Sequence, residues 1–151
     1  MMTNGSRVYF VDTNVFVYAY DARDQAKRER AIAVLDRLTL LQSGTASVQV
    51  LKEFCSVILR QYVQAVADIE EIVRGLVASW TIFDVGSRDV LEALAAVGNH
   101  RMAFYDALIM VTARDNGAHY ILSEDGQSAA QIDGVRYLNP FAPGFDLARL
   151  A

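Results

Sequence analysis

The feature that most restricts the fold is residues 7–19, Arg7-Val8-Tyr9-Phe10-Val11-Asp12-Thr13-Asn14-Val15-Phe16-Val17-Tyr18-Ala19. Val8 to Val11 run without polar interruption, as in a strand buried on both faces of a parallel sheet. The run stops at a carboxylate, Asp12. Thr13 and Asn14 follow, both ready hydrogen-bonders at turns and helix starts, and Val15, Tyr18 and Ala19 then recur at helical spacing. Strand, acidic turn and helix together place Asp12 at the carboxyl end of a strand, the edge where open α/β sheets build their sites. As a turn residue alone, Asp12 is equally a helix cap.

The alternation continues along the chain. Residues 21–24 are polar and predict a loop. From Gln25 to Leu41, Ala31, Val34, Leu35, Leu38 and Leu41 fall at helical spacing, and Lys27, Arg28, Glu29, Arg30 and Arg37 lie mostly on the other faces. Gly44 ends that region, Thr45-Ala46 fits a very short strand, and Ser47 is placed to cap a helix with the stripe Val50, Phe54, Val57 and Ile58, running to about Arg60. An amphipathic segment over 66–79 precedes a strand over 80–85. A helix from Ser87 to Val97 is expected to stop at Gly98-Asn99. The next, from about Met102 to Asn116, holds one charge, Asp106, in the eleven residues 103–113. Gly117 is its expected cap. His119 to Leu122 reads as a buried strand ending in Ser123-Glu124-Asp125-Gly126, and Val135 to Leu138 as a last strand before Asn139-Pro140-Phe141.

Composition narrows the class. At 151 residues the chain predicts one domain with a real core. A net charge of −4 argues against a broad phosphate-tracking surface, but not against a metal-bridged site. The single cysteine, Cys55, excludes an internal disulfide and a multi-cysteine zinc site; it fits a reducing cytoplasm and a small core residue. The N-terminal residues 1–6 are short and polar, with no apolar signal region, and no window approaches a membrane span. The expected location is therefore cytoplasmic.

Acidic residues thus follow two strand-like runs, Asp12 and Asp125, and two more sit within otherwise apolar helices, Glu53 and Asp106. Parallel strands bring their carboxyl ends to one edge, which would gather these acids. Four carboxylates so close would repel strongly. A hard divalent cation with oxygen ligands, Mg²⁺ or Mn²⁺, removes the objection and points to hydrolysis of a phosphodiester.

Four segments then resemble the acidic motifs of PIN domains in order: residues 11–19 around Asp12, 49–54 around Glu53, 105–109 around Asp106 and 122–126 around Asp125. Within that family the chain is most similar to the VapC-type toxins of bacterial toxin–antitoxin pairs, and the ending Asn139-Pro140-Phe141 is similar too. The resemblance implies a three-layer α/β domain with a mostly parallel central sheet, in the order 3-2-1-4-5, flanked by helices. It implies a metal-dependent endoribonuclease in which Asp12, Glu53, Asp106 and Asp125 hold Mg²⁺ or Mn²⁺ directly or through water. An RNA substrate, a cognate antitoxin and a homodimer follow with it. Thr13, Asn14 and Ser123 are supporting candidates, and Glu124 competes with Asp125 for the fourth position. Tyr105, where the subgroup often has Trp, could stack on a base. Arg101 and His100 could meet a phosphate, although loop or core roles suit His100 and His119 better.

Other classes fit less well. A dehalogenase-like phosphoryl enzyme expects a second acid two residues after Asp12, where Asn14 stands, and a lysine after the late strands, whereas the lysines are Lys27 and Lys52. A dinucleotide-binding domain expects a glycine-rich first turn. The remaining rival is a non-catalytic nucleic-acid- or protein-binding module on the same fold.

Overall fold

The computed structural model describes residues 7–61, 66–125 and 131–151; residues 1–6 and Gly126, read above from the sequence, lie outside them. Strand β1 (Tyr9–Val11) leads into helix α1 (Thr13–Tyr18), followed by α2 (Gln25–Leu41), β2 (Gly44–Ser47), α3 (Val48–Gln61), α4 (Val66–Ser79) and β3 (Thr81–Phe83). Then come α5 (Ser87–His100), α6 (Phe104–Asp115), β4 (Tyr120–Leu122), β5 (Gln131–Ile132) and β6 (Val135–Leu138). Among these residues no helix is long and apolar enough to cross a membrane.

The sheet runs β3-β2-β1-β4-β6-β5. Its first five positions are the expected 3-2-1-4-5 order, all parallel. The sixth was not expected: β5 pairs antiparallel with β6 at the edge through the turn Asp133-Gly134, both with positive φ (48° and 85°), the Asp-Gly signature of a tight hairpin. β1 is central, and Tyr9, Phe10 and Val11 are wholly buried, so an apolar run without alternation is what the position requires. Helices flank the sheet, α5 packing on α6 and α1 against α2 and α3.

Local chemistry sets the boundaries. Asp24 caps α2, accepting from Lys27 N, and Gln42 closes it in the left-handed conformation. Ser47 accepts from Val50 N at the start of α3, as expected. α5 does not stop at Gly98-Asn99. It continues to His100, because Arg101 (φ 54°) takes the left-handed closing position instead. An interior glycine costs a helix only about 1 kcal/mol. Trp80 precedes the strand rather than starting it: its indole Nε1–H donates to Thr39 (2.8 Å), and its ring lies so close to Gly44 that a Cβ there would be 2.7 Å from it. Cys55 is half-buried, packed against the core at the edge of an apolar groove between α3 and α4, and burial pushes its thiol pKa up.

Candidate active site at the carboxyl edge of the sheet

Parallel pairing of β1 with β4 aligns Val11 with Leu122, so the next residues, Asp12 and Ser123, emerge side by side. Asp12 caps α1, its Oδ1 accepting from Thr13 N at 2.7 Å, while its Oδ2 accepts from the Ser123 hydroxyl at 2.8 Å. Asn14 ties the same two turns together. Its Nδ2 donates to Ser123 Oγ (3.1 Å) and Asp125 Oδ2 (3.4 Å), and its Oδ1 accepts from Glu124 N (3.2 Å). Asp125 N donates to Ser123 Oγ at 3.1 Å. Asp12, Asn14, Ser123 and Asp125 therefore form one network.

Glu53 approaches from α3. Its Oε2 accepts from the Thr13 hydroxyl at 3.3 Å, and its Oε1 from Gln49 Nε2, one turn earlier, at 2.6 Å. Gln49 also donates to the Tyr105 carbonyl (3.2 Å), binding α3 to the start of α6. Gln49 was not anticipated; its only sequence signal is the i, i+4 spacing to Glu53. Asp106 lies in the first turn of α6, an exposed carboxylate facing Asp125. Tyr105, beside it, is exposed.

The electrostatics follow from this crowding. Burial pushes Asp12 up to about 6; the hydrogen bonds from Ser123 and Thr13 oppose the rise, and the Glu53 and Asp106 carboxylates add to it. Asp106 is also raised, by partial burial and then by Asp125. A divalent cation among these groups would reverse the carboxylate repulsion, and an all-oxygen donor set suits a hard ion completed by water. Among the described residues the three acidic side chains whose oxygens lie within 4.8 Å of one another are instead Asp89, Glu92 and Asp115. That surface set is laced by Arg88 and Arg114 at 2.9–3.2 Å. No three of the four carboxylates at the sheet edge bring oxygens within that distance of one another.

Two clefts meet at Asp12, Asp106, Ile109 and Asp125. One, of about 360 Å³, reaches Glu53, Asn14, Arg23, Gln61 and Tyr105. The other, of about 330 Å³, is lined by Ser123, His100, Met102, Ile121, Ile132 and Tyr137. Tyr137 carries no motif signal, since a strand pattern alone does not say which face meets the site. His100 is neither loop nor core: it ends α5, and its Nε2 lies 3.3 Å from Asp133 Oδ2. His119 is exposed and lines neither cleft.

Two candidates point elsewhere. Glu124 is half-buried and engaged by Lys27 and Tyr18; burial alone would raise its carboxyl, but these hydrogen bonds lower it. Lys27, expected on a solvated helix face, is thus a tie between α2 and the turn after β4. Arg101 caps α5 and lines neither cleft.

A family model described as PIN domain matches residues 9–134. No curated protein sequence matches the chain. The sarcin–ricin-loop-cleaving VapC toxin of Mycobacterium tuberculosis superposes with a TM-score of 0.64 at 23% identity, covering 85% of this chain and 98% of that one. A toxin–antitoxin complex from Klebsiella pneumoniae gives 0.65 at 16% identity, covering 88% and 98%. A protein of Pyrobaculum aerophilum gives 0.61 at 16% identity, covering 96% and 90%.

Proposed function

The chain belongs to the PIN domain family, and from that premise we propose that it is a VapC-like toxin: a Mg²⁺- or Mn²⁺-dependent endoribonuclease held in check by a cognate antitoxin. The observation that carries the reading is the gathering of Asp12, Asp106 and Asp125 at one rim, with Glu53 in the adjoining cleft. Asp12 and Asp106 are the principal ligands; Asp125 and Glu53 complete the set or orient the attacking water. A bound divalent cation supplies Lewis acidity at the scissile phosphate and neutralises developing charge.

The chain's own groups do the rest. Ser123 and Thr13 N hold both oxygens of Asp12, fixing its direction. Asn14 sets Asp125, and Gln49 with Thr13 fixes Glu53. Tyr105, exposed at the polar cleft, is placed to stack on a base, whereas Arg101 is placed to meet a phosphate only outside the clefts. With a net charge of −4, RNA affinity rests on few cationic contacts and on the cation, which predicts a shallow salt dependence. The antitoxin and homodimer parts of the proposal have surfaces to use. Leu59, Val66 and Val77 are exposed about the α3–α4 groove, and Val90, Leu91 and Leu94 on α5; clustered exposed apolar side chains of this kind mark protein contacts.

The test is cleavage of a mixed RNA pool by the purified chain with Mg²⁺ or Mn²⁺, with EDTA, and with Asp12→Asn and Asp106→Asn. Cleavage that needs the cation and disappears in both variants is the expected result. Cleavage that survives either substitution would overturn the assignment.

A further inference from the structure

The two clefts at the carboxylates differ in the side chains that line them. The one toward α3 includes Thr13, Asn14, Arg23 and Gln61. The other carries, beside its carboxylates, Met102, Ile109, Ile121, Ile132 and Tyr137. At about 330 Å³ it is at the small end of ligand pockets, enough for one planar ring system and its sugar but not for a longer segment. The Tyr137 hydroxyl has no hydrogen-bond partner among the described residues, and it lies near enough to Asp12 and Asp106 to feel both charges. The outer wall is braced. Asp133, at the β5–β6 turn, takes both His100 Nε2 (3.3 Å) and Arg114 Nη1 (3.1 Å) on the same oxygen, which fixes Ile132 beside the opening.

A phosphodiester lying over Asp12, Asp106 and Asp125 carries a nucleoside on each side. A backbone phosphate gains nothing from aliphatic side chains, whereas a base gains apolar contact from them and an aromatic partner in Tyr137. The His100 ring in the same lining offers a polar atom to the base edge. A duplex cannot enter so narrow a recess, so the base must be unpaired or turned out of its helix.

We propose that this recess is a nucleobase subsite that receives the unpaired base flanking the cleaved bond and stacks it on Tyr137. The identity of the ligand rests on the ribonuclease reading above. Tyr137 is accordingly a specificity-determining residue rather than a ligand of the cation.

The experiment uses the whole chain, free of divalent cation, with the isoleucine δ1-methyls labelled for NMR and titrated with adenosine, guanosine, cytidine and uridine. Uncharged nucleosides avoid any contribution from phosphate. Saturable shifts at Ile109, Ile121 and Ile132, with Ile32 and Ile72 unmoved, are expected for at least one nucleoside. Affinity should fall at least about tenfold in Tyr137→Ala and persist in Tyr137→Phe. Ile132→Trp, which fills the recess from its edge, should abolish binding even if Tyr137→Ala does not fold. No methyl shift with any nucleoside, or unchanged affinity in Ile132→Trp, would overturn the proposal. RNA cleavage by the same preparation is scored separately. Nucleoside binding without cleavage would sink the ribonuclease reading and leave the subsite; cleavage without binding would do the reverse.

Discussion

The Ser123 hydroxyl donates to Asp12 Oδ2 at 2.8 Å across 111 residues of sequence, while accepting from Asn14 Nδ2 and from Asp125 N. One hydroxyl thereby directs the Asp12 carboxylate and anchors the backbone of Asp125. Ser123→Ala removes it and leaves Asn14 and Asp125 N short of a partner. A cost of about 1–3 kcal/mol in stability is expected. RNA cleavage should fall about tenfold or more, with its acid limb moved to higher pH because a group that lowers the Asp12 pKa is gone. Denaturant melts and a pH–rate profile check both.

In the metal-free protein Asp12 carries a penalty for being charged. A carboxyl taken from 3.8 to about 6 disfavours the ionised fold by about 3 kcal/mol. The folded pKa is the higher one. Stability from this group is therefore intact below about pH 4 and is lost as pH rises through 6. Asp12→Asn should match the wild type near pH 4 and melt roughly 5–10 °C higher at pH 8 without metal. Added Mg²⁺ or Mn²⁺ should raise the wild-type melting temperature at pH 8 and leave the variant unmoved; equal responses would remove Asp12 from the ligand set.

Glu124 and Asp125 are neighbours with opposite commitments. Glu124 is held by Lys27 and Tyr18, and Asp125 faces Asp106. Asp125→Asn should reduce cleavage by at least about a hundredfold, whereas Glu124→Gln should change it by no more than about threefold. The reverse order in a side-by-side rate comparison would reassign the fourth position.

Gly44 is required by the Trp80 ring, since an added Cβ would lie 2.7 Å from it. Gly44→Ala should cost about 1–3 kcal/mol. In a Trp80→Leu background the same substitution should cost less, and additivity of the two in urea melts would rule out the contact as the cause.

Much of this was legible because the physics is local. Strands buried on both faces leave unbroken apolar runs, and β1 and β4 were found that way, β4 beginning one residue later than expected; β6, interrupted by the exposed Arg136, was found from its position before Asn139-Pro140. The acids were visible because each interrupts an apolar pattern, and the fold then placed Asp12, Asp106 and Asp125 at one rim. The edge strand β5 has two residues, too few for any periodicity, although Asp133-Gly134 marked its turn. Whether α5 closed at Gly98 or Arg101 depended on which residue could take a left-handed backbone, a choice decided by what the chain meets next. Tyr137 was hidden for a different reason: sequence spacing does not say which face of a strand looks into a cleft, and for the same reason His100 and Arg101, weighed together, could not be told apart. The same is true of Lys27, whose partner Glu124 is 97 residues away.

The central pairing of β1 with β4 has a consequence for timing. A chain made from its N-terminus presents Asp12 early, with Thr13 N to hold its Oδ1; its Oδ2 gains the Ser123 hydroxyl only after β4 has been made and has docked. Pairings so distant in sequence are among the slower steps of folding. The carboxylates of the rim therefore come together late, once α6 and β4 have joined the N-terminal strand.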